Sequence, residues 1–168
     1  MARLNGAAQP PAPVEVRVAG PDDWMAKRDV RLSALRDAPY AFYSTYEQAA
    51  QRSDDEWRAW PRPPNVVMLA WRGDEPLGIV GIGPNPRQPG VADLFAMWVA
   101  PPARGNGVAD HLIAAALARA TDLGCVEVVL EVTAGNDRAR RFYERHGFVP
   151  FDAPTSMDGA VAMRRRFA

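Results

Sequence analysis

The feature that most constrains this chain is residues 94–123, where a strand pattern passes through two glycines into a helix pattern. The apolar run at 94–99 predicts a strand, and two prolines end it because proline has no N–H to give to a sheet. Gly105 and Gly107 follow, and apolar residues then recur at helical spacing. The segment therefore predicts a strand, a sharp turn and a helix over 107–123, which Gly124 ends.

The start of this helix is a candidate anion site. The first N–H groups of a helix have no partner within it, and the helix dipole adds partial positive charge there. The two glycines leave the backbone open to approach, and Arg104 adds a cation at the edge. A plain strand-to-helix turn has the same pattern, so the loop alone leaves both interpretations open.

The spacing of the loop residues decides between nucleotide motifs. No lysine follows the glycines, as a P-loop requires, and Asp110 stands where the dinucleotide fingerprint has its third glycine. The loop reads Arg-x-x-Gly-x-Ala, which resembles the Arg/Gln-x-x-Gly-x-Gly/Ala motif of the GNAT (GCN5-related) acetyltransferases. That resemblance implies that the loop holds the pyrophosphate of coenzyme A. The residues implied are Arg104, Gly105, Asn106, Gly107, Val108 and Ala109.

A second motif lies at residues 136–148 and resembles the family signature Asn-x-x-Ala-x-x-Phe-Tyr-x-x-x-Gly-Phe. Each specified position is present: Asn136, Ala139, Phe142, Tyr143, Gly147 and Phe148. In a helix, Asn136, Ala139 and Tyr143 share one stripe, and the small alanine lets a ligand approach between an amide and a phenol. The two phenylalanines are better placed for the core. The resemblance implies that this stripe also contacts acetyl-CoA.

The strand before this helix carries the candidate base. Leu130-Glu-Val132 is similar to the ribosomal-protein alanine N-acetyltransferase branch, which implies Glu131 as base and Tyr143 as acid. Chemistry agrees, because an attacking amine must lose a proton and a coenzyme A thiolate must leave. Glu131 also fits a surface carboxylate, and Tyr143 also fits a core tyrosine.

The resemblance further implies that the end of the first strand contacts acetyl-CoA through its main chain. The residues implied are Met97, Trp98 and Val99. A backbone N–H would stabilise the charge that develops on the thioester oxygen. A break in strand pairing, such as a bulge, would free that N–H.

Periodicity along the chain predicts an α/β fold, and the resemblance implies that it is of the GNAT type. We expect a mixed, mostly antiparallel sheet of six or seven strands with about four helices. Strands 92–99 and 126–132 flank the helix, so they should run parallel and diverge at the acetyl-CoA site. Val126 and Val128 are predicted to share the buried face of the second strand. Residues 1–13 read as a flexible tail and 14–168 as one acetyltransferase domain.

Residues 40–60 are rich in aromatic side chains and carboxylates. One interpretation is a wall of the acceptor site suited to a cationic ligand. The other is ordinary packing of a helical hairpin against the sheet. The sequence favours neither interpretation over the other.

Composition limits the partners. With 20 basic and 20 acidic residues the formal net charge is zero, so general nucleic-acid or membrane binding is not expected. One cysteine and two histidines argue against a metal site, and no apolar run reaches membrane-spanning length. We expect a cytoplasmic N-acetyltransferase that uses acetyl-CoA, needs no metal and acts on a small-molecule or peptide amine. A homodimer is one open alternative for assembly, and a non-catalytic acyl-CoA sensor is the alternative function.

Overall fold

The computed structural model describes residues 12–168, so the predicted tail at 1–13 lies almost entirely outside the described residues. Within them a seven-stranded sheet has the order β1-β2-β3-β4-β5-β7-β6. The strands are β1 (Val14–Val18), β2 (Val66–Arg72), β3 (Glu75–Pro84), β4 (Val91–Val99), β5 (Glu127–Val132), β6 (Val149–Pro150) and β7 (Val161–Arg166). All neighbours pair antiparallel except β4 and β5, which confirms the predicted fold class.

Five α-helices cover the two faces of the sheet in the described chain, one more than the sequence predicts. They are α1 (Trp24–Asp37), α2 (Tyr46–Ala50), α3 (Asp54–Ala59), α4 (Val108–Asp122) and α5 (Asp137–Arg145). The larger core holds the apolar stripe of α4 and the buried side of α5 against β2 to β5. On the opposite face, Val30 and Ala34 of α1 pack with Trp98 of β4. None of these helices is long and apolar enough to cross a membrane.

The two parallel strands separate after a short contact, as the sequence predicts. Pairing of β4 with β5 covers only three positions, from Val91 opposite Glu127 to Asp93 opposite Val129. Beyond Asp93, β4 continues to Val99 beside β3 alone. A wedge therefore opens between the carboxyl ends of β4 and β5, the place where open α/β sheets bind ligands.

A bulge in β4 lies at the mouth of this wedge. Phe95 pairs with Gly81, yet Trp98 pairs with Ile79, so one extra residue is inserted in β4. Ala96 takes up the insertion with a φ of 54°, a left-handed value that alanine rarely adopts. Side chains alternate between the two faces of a strand, so one extra residue reverses which positions point to which face beyond it. Leu94, before the bulge, and Met97, after it, therefore both pack on the α4 side.

Burial at two positions is less than the sequence pattern suggests. Val126 is 64% exposed, because β5 begins one residue later and the N–H of Val126 bonds to the carbonyl of Gly90 in the preceding loop. Phe142 is only partly buried, while its neighbour Tyr143 is the buried residue of α5. Phe148 is buried, as predicted.

Candidate active site

A groove of about 460 Å³ runs along the wedge on the α4 and α5 side. Its walls are the end of β4, the glycine loop with the start of α4, the inner side of α5 and the turn after α1. From the predicted acetyl-CoA contacts it gathers Met97, Trp98, Val99, Arg104, Gly105, Gly107, Val108, Ala109, Asn136, Ala139 and Tyr143. Asn106 is exposed and does not line the groove. Two distant motifs therefore meet in one place.

The glycine loop presents a row of backbone N–H groups to the groove. Gly105 and Gly107 have φ values of 80° and 78°, a conformation that glycine adopts without strain. Between them they turn the chain into α4, whose N-cap is Gly107. In the part of the chain described, the N–H groups of residues 105–110 have no hydrogen-bond acceptor. Such a row, at the positive end of a helix dipole, suits a phosphate or pyrophosphate.

Arg104 is less free than its place in the motif suggests. Its Nε donates to the carbonyl of Val99 at 3.0 Å, and its Nη2 donates to Asp37 of α1. Asp37 also accepts a 2.9 Å hydrogen bond from the indole N–H of Trp98. The guanidinium thus joins α1 to the loop, and the candidate anion site consists mainly of backbone N–H groups.

The start of α5 is fixed by Asn136, whose Oδ1 accepts a 3.2 Å hydrogen bond from the N–H of Ala139. This use of the amide oxygen as a helix cap leaves the Nδ2 group of Asn136 as a candidate donor to a ligand. One turn further, Tyr143 is 7% exposed and lies edge-on to both Phe142 and Phe148. Burial raises the pKa of the Tyr143 phenol far above its usual value, so the hydroxyl keeps its proton.

A second and wider cavity of about 700 Å³ opens on the α1 side of the wedge. Its floor includes Asp93 of β4 and Glu131 of β5. Glu131 is exposed and accepts hydrogen bonds from the N–H and hydroxyl of Ser156 at 2.9 and 2.8 Å. Asp93 accepts a 2.8 Å hydrogen bond from the side-chain amide of Asn85.

Asp93 is a functional candidate that the sequence analysis missed. Burial raises the pKa of its carboxyl group, the hydrogen bond from Asn85 opposes this, and the nearby charge of Glu131 adds to the rise. A carboxylate whose pKa lies closer to neutral pH is a better acceptor for the proton of an amine. The available signal was a carboxylate inside an apolar strand run, Val91-Ala-Asp-Leu94.

The two residues predicted to be catalytic line different cavities. Glu131 lines the wide cavity and Tyr143 lines the groove. Ala41 and Phe42, in the turn after α1, line both. The bulge lies between them, with Ala96 facing the wide cavity and Met97 facing the groove. A reaction that joins the two cavities would therefore take place at the bulge.

The structure has features of both interpretations of residues 40–60. Aromatic residues of this segment, Phe42, Tyr43 and Trp60, do line the wide cavity. Its carboxylates do not: Glu56 instead caps α3 through a 2.7 Å hydrogen bond from the N–H of Ser53. The segment contributes a cation, Arg52, and the acidic groups come from the sheet.

No group of three or more potential metal ligands occurs among residues 12–168. The single cysteine, Cys125, is a buried free thiol that packs in the larger core, away from both cavities.

The sheet order, the wedge and the glycine turn define a fold that solved acetyltransferases share. A GCN5-related N-acetyltransferase from Kribbella flavida has a TM-score of 0.74 at 23% identity, covering 92% of this chain and 98% of that one. PaiA N-acetyltransferase from Thermoplasma acidophilum, solved in complex with coenzyme A, has a TM-score of 0.71 at 16% identity, covering 92% and 99%. A ribosomal-protein-alanine N-acetyltransferase from Brucella melitensis has a TM-score of 0.70 at 19% identity, covering 91% and 99%. These likenesses show the fold.

Sequence comparison identifies the family. The Acetyltransferase (GNAT) family model matches residues 32–148, so the chain belongs to the GNAT acetyltransferase family. A mycothiol acetyltransferase of Pseudarthrobacter chlorophenolicus is 29% identical over 134 residues, which are 78% of this chain and 40% of that protein. One from Geodermatophilus obscurus is 33% identical over 124 residues, 68% and 39% of the two chains. The chain thus spans about two fifths of the length of these relatives.

Proposed function

We propose that this protein transfers the acetyl group of acetyl-CoA to a primary amine by direct attack. The observation that carries the proposal is a pair of cavities that share Ala41 and Phe42 in their walls and lie on either side of the bulge in β4. The groove offers unpaired N–H groups for a pyrophosphate at one end, and it meets an open cavity with two carboxylates at the bulge. Family membership and the names of the relatives support acetyl transfer from coenzyme A.

The proposed reaction begins when a carboxylate takes a proton from the bound ammonium group. Glu131 is the proposed base, and Asp93 is the neighbouring carboxylate that could share or replace this role. The freed nitrogen attacks the thioester carbon, which forms the new N–C bond. A backbone N–H at the bulge, next to Ala96 and Met97, then stabilises the negative charge on the carbonyl oxygen.

Collapse of that intermediate breaks the C–S bond and releases coenzyme A. Tyr143 is the proposed acid that gives its proton to the departing sulfur. Burial raises the pKa of this phenol, so the hydroxyl holds its proton until negative charge develops on the departing sulfur. The nitrogen gives up its second proton as the intermediate collapses, and this proton replaces the one that Tyr143 gave to sulfur, while the carboxylate releases the first proton to solvent. Because the amine attacks the thioester directly, no covalent enzyme intermediate is required.

The first test is calorimetric titration of the protein with acetyl-CoA, with ATP and NAD as controls. We expect selective binding in the micromolar range, about −8 kcal/mol. Acetyl-CoA with a panel of amines should then release free thiol, detected with a thiol reagent. Absence of acetyl-CoA binding would contradict the proposal at its first step.

A non-catalytic acyl-CoA sensor is the alternative. That function requires a cofactor groove with no route for an acceptor. The wide cavity instead reaches the surface beside Tyr43, which is 75% exposed, and this opening favours the enzyme. Acetyl-CoA binding without thiol release for any amine would support the sensor.

A further inference from the structure

A buried cation in the wide cavity has no hydrogen-bond or ion-pair partner in the part of the chain described. Arg31, on α1, lines the cavity and is only 7% exposed. Its Nη1 is closed to solvent and has no acceptor, and the guanidinium forms no ion pair or hydrogen bond with residues 12–168. A buried charge without compensation is costly, and proteins retain one mainly where a ligand supplies the opposite charge.

The guanidinium of Arg31 is held by stacking and not by acidic groups. Its Cζ lies 4.5 Å from the ring centroid of Phe42, the residue that lines both cavities. Stacking occupies the flat face of a guanidinium and leaves the N–H edge for in-plane hydrogen bonds. Phe42 therefore fixes Arg31 in an orientation that suits a planar anion.

A second arginine repeats the arrangement. Arg52 also lines the cavity, and its Cζ lies 4.9 Å from Trp57 and 5.6 Å from Trp60. Burial, and next the charge of Arg52, lower the pKa of Arg31 to about 10, so both groups are cationic at neutral pH. The two arginines are close enough to repel each other, and although the charge of Glu56 acts on Arg52, no carboxylate among the described residues acts on Arg31. Such an arrangement suits a site that receives an anion.

We infer that Arg31 and Arg52 form an anion-binding subsite, so that the acceptor is an amine that also carries an acidic group. This inference rests on the proposed function, because it assigns the wide cavity to the acceptor. The charges then match a zwitterion: the carboxylates of Asp93 and Glu131 receive the ammonium end, and the arginines receive the anionic end.

Size and chemistry favour an amino acid or a short peptide-like amine bearing a carboxylate. A cavity of about 700 Å³ lies within the usual range for small-molecule sites, about 300–1,000 Å³. Arginine pairs bidentately with a carboxylate or a phosphate, so both anions share the recognition chemistry. A purely cationic polyamine would instead place positive charge against Arg31.

The test measures kcat/KM of the wild-type protein for matched amines that differ only in the acidic group. Each α-amino acid is compared with its carboxamide, and aminoalkyl carboxylates are compared with the corresponding aminoalkyl phosphonates. We expect the carboxylates to exceed their carboxamides by roughly 10- to 100-fold, the value of one charged hydrogen-bonding pair. Phosphonates better than carboxylates would assign the subsite to phosphate-type anions.

Two variants and a control connect that preference to the arginines. R31Q and R52Q should each lower kcat/KM for acidic amines by roughly 10- to 100-fold while changing the carboxamides by less than about 3-fold. R36Q is the control, because Arg36 lies on the same helix and stacks on Tyr46 at 4.7 Å, outside both cavities. Unchanged acetyl-CoA affinity by calorimetry verifies that each variant is folded.

The outcomes separate the two proposals. Equal kcat/KM for acidic and neutral amines in the wild-type protein would overturn the anion subsite and leave acetyl transfer intact. A preference that R52Q and R31Q both retain would also overturn it. Failure of every amine to react would instead contradict the proposed function, and the subsite inference with it.

Discussion

At the residue scale, Tyr143 gives the sharpest test of the proposed chemistry. In the described chain its hydroxyl has no hydrogen-bond partner, and burial raises the pKa of the phenol above its usual value. We expect Y143F to lower kcat by roughly 100-fold, the usual contribution of a general acid, with the Kd for acetyl-CoA within about 2-fold. The Kd comes from calorimetry and kcat from thiol release. Y46F is the control, because Tyr46 bonds Arg36 away from both cavities. Equal losses of affinity and turnover would make Tyr143 a packing residue.

Two neighbouring carboxylates compete for the role of base, and paired variants can distinguish them. E131Q should lower kcat/KM most at low pH, where the amine is protonated and depends on a base. If Asp93 is the base instead, kcat/KM should fall as the pH drops below the raised pKa of its carboxyl group. D93N should then remove this fall from the pH profile of kcat/KM. The measurement is kcat/KM from pH 5 to 9 for both variants. A wild-type profile in E131Q would exclude Glu131.

At the scale of elements, the bulge in β4 depends on an alanine in an unusual conformation. Ala96 has a φ of 54° and is 8% exposed. A96V should destabilise the fold by about 1–3 kcal/mol, because β-branched side chains tolerate this region poorly. A96G should unfold at a urea concentration equal to or higher than that of the wild type, since glycine adopts a positive φ freely. Urea unfolding of both variants measures this. An A96V protein as stable as A96G would mean that the bulge imposes no strain.

Strands β3 and β4 approach closely just beyond the bulge. A Cβ on Gly78 would lie 2.7 Å from the carbonyl oxygen of Trp98 and 3.0 Å from Cδ1 of Leu112 in α4. G78A should therefore cost about 1–3 kcal/mol, because a backbone oxygen cannot move aside as a side chain can. G20A is the matched control: its nearest neighbour is an Asp23 oxygen at 3.9 Å. Equal unfolding midpoints for the two variants would contradict this account.

Local patterns predict the elements of this fold well, and the residues that complete the site poorly. The helical period of α4, the alternation in β5 and the capping residues Ser53 and Glu56 all act within a few positions, so sequence shows them. The bulge in β4 cannot be recognised from the sequence, because residues 94–99 are all apolar and show no alternation that an extra residue would interrupt. Arg31 of α1 and Asp93 of β4 line the same cavity. No rule of sequence spacing predicts that two residues so far apart in the chain lie together.

At the scale of the whole molecule, Asp37 connects the two halves of the site. It lies at the end of α1, on the opposite face of the sheet from α4, and accepts hydrogen bonds from Trp98 of β4 and Arg104 of the glycine loop. The hydrogen bond from Trp98 and next the one from Arg104 lower the pKa of Asp37, while its slight burial opposes them. The ionised carboxylate therefore holds the α1 layer against the strand and loop that form the groove.

The sign of this pKa shift predicts how stability depends on pH. Because the folded-state pKa lies below the unfolded value near 3.8, the contribution is complete above that value and disappears as pH falls through the folded pKa. We expect D37N to be less stable than the wild type by about 1 kcal/mol at pH 7, since a partly exposed pair is screened by solvent. This gap should shrink below pH 4, because protonated Asp37 and asparagine carry the same charge. Urea unfolding at pH 7, 5 and 3.5 measures the gap, with D55N as the exposed control, whose Arg58 partner lies on the same helix. A gap independent of pH would mean that Asp37 stabilises α1 by its shape and not by its charge.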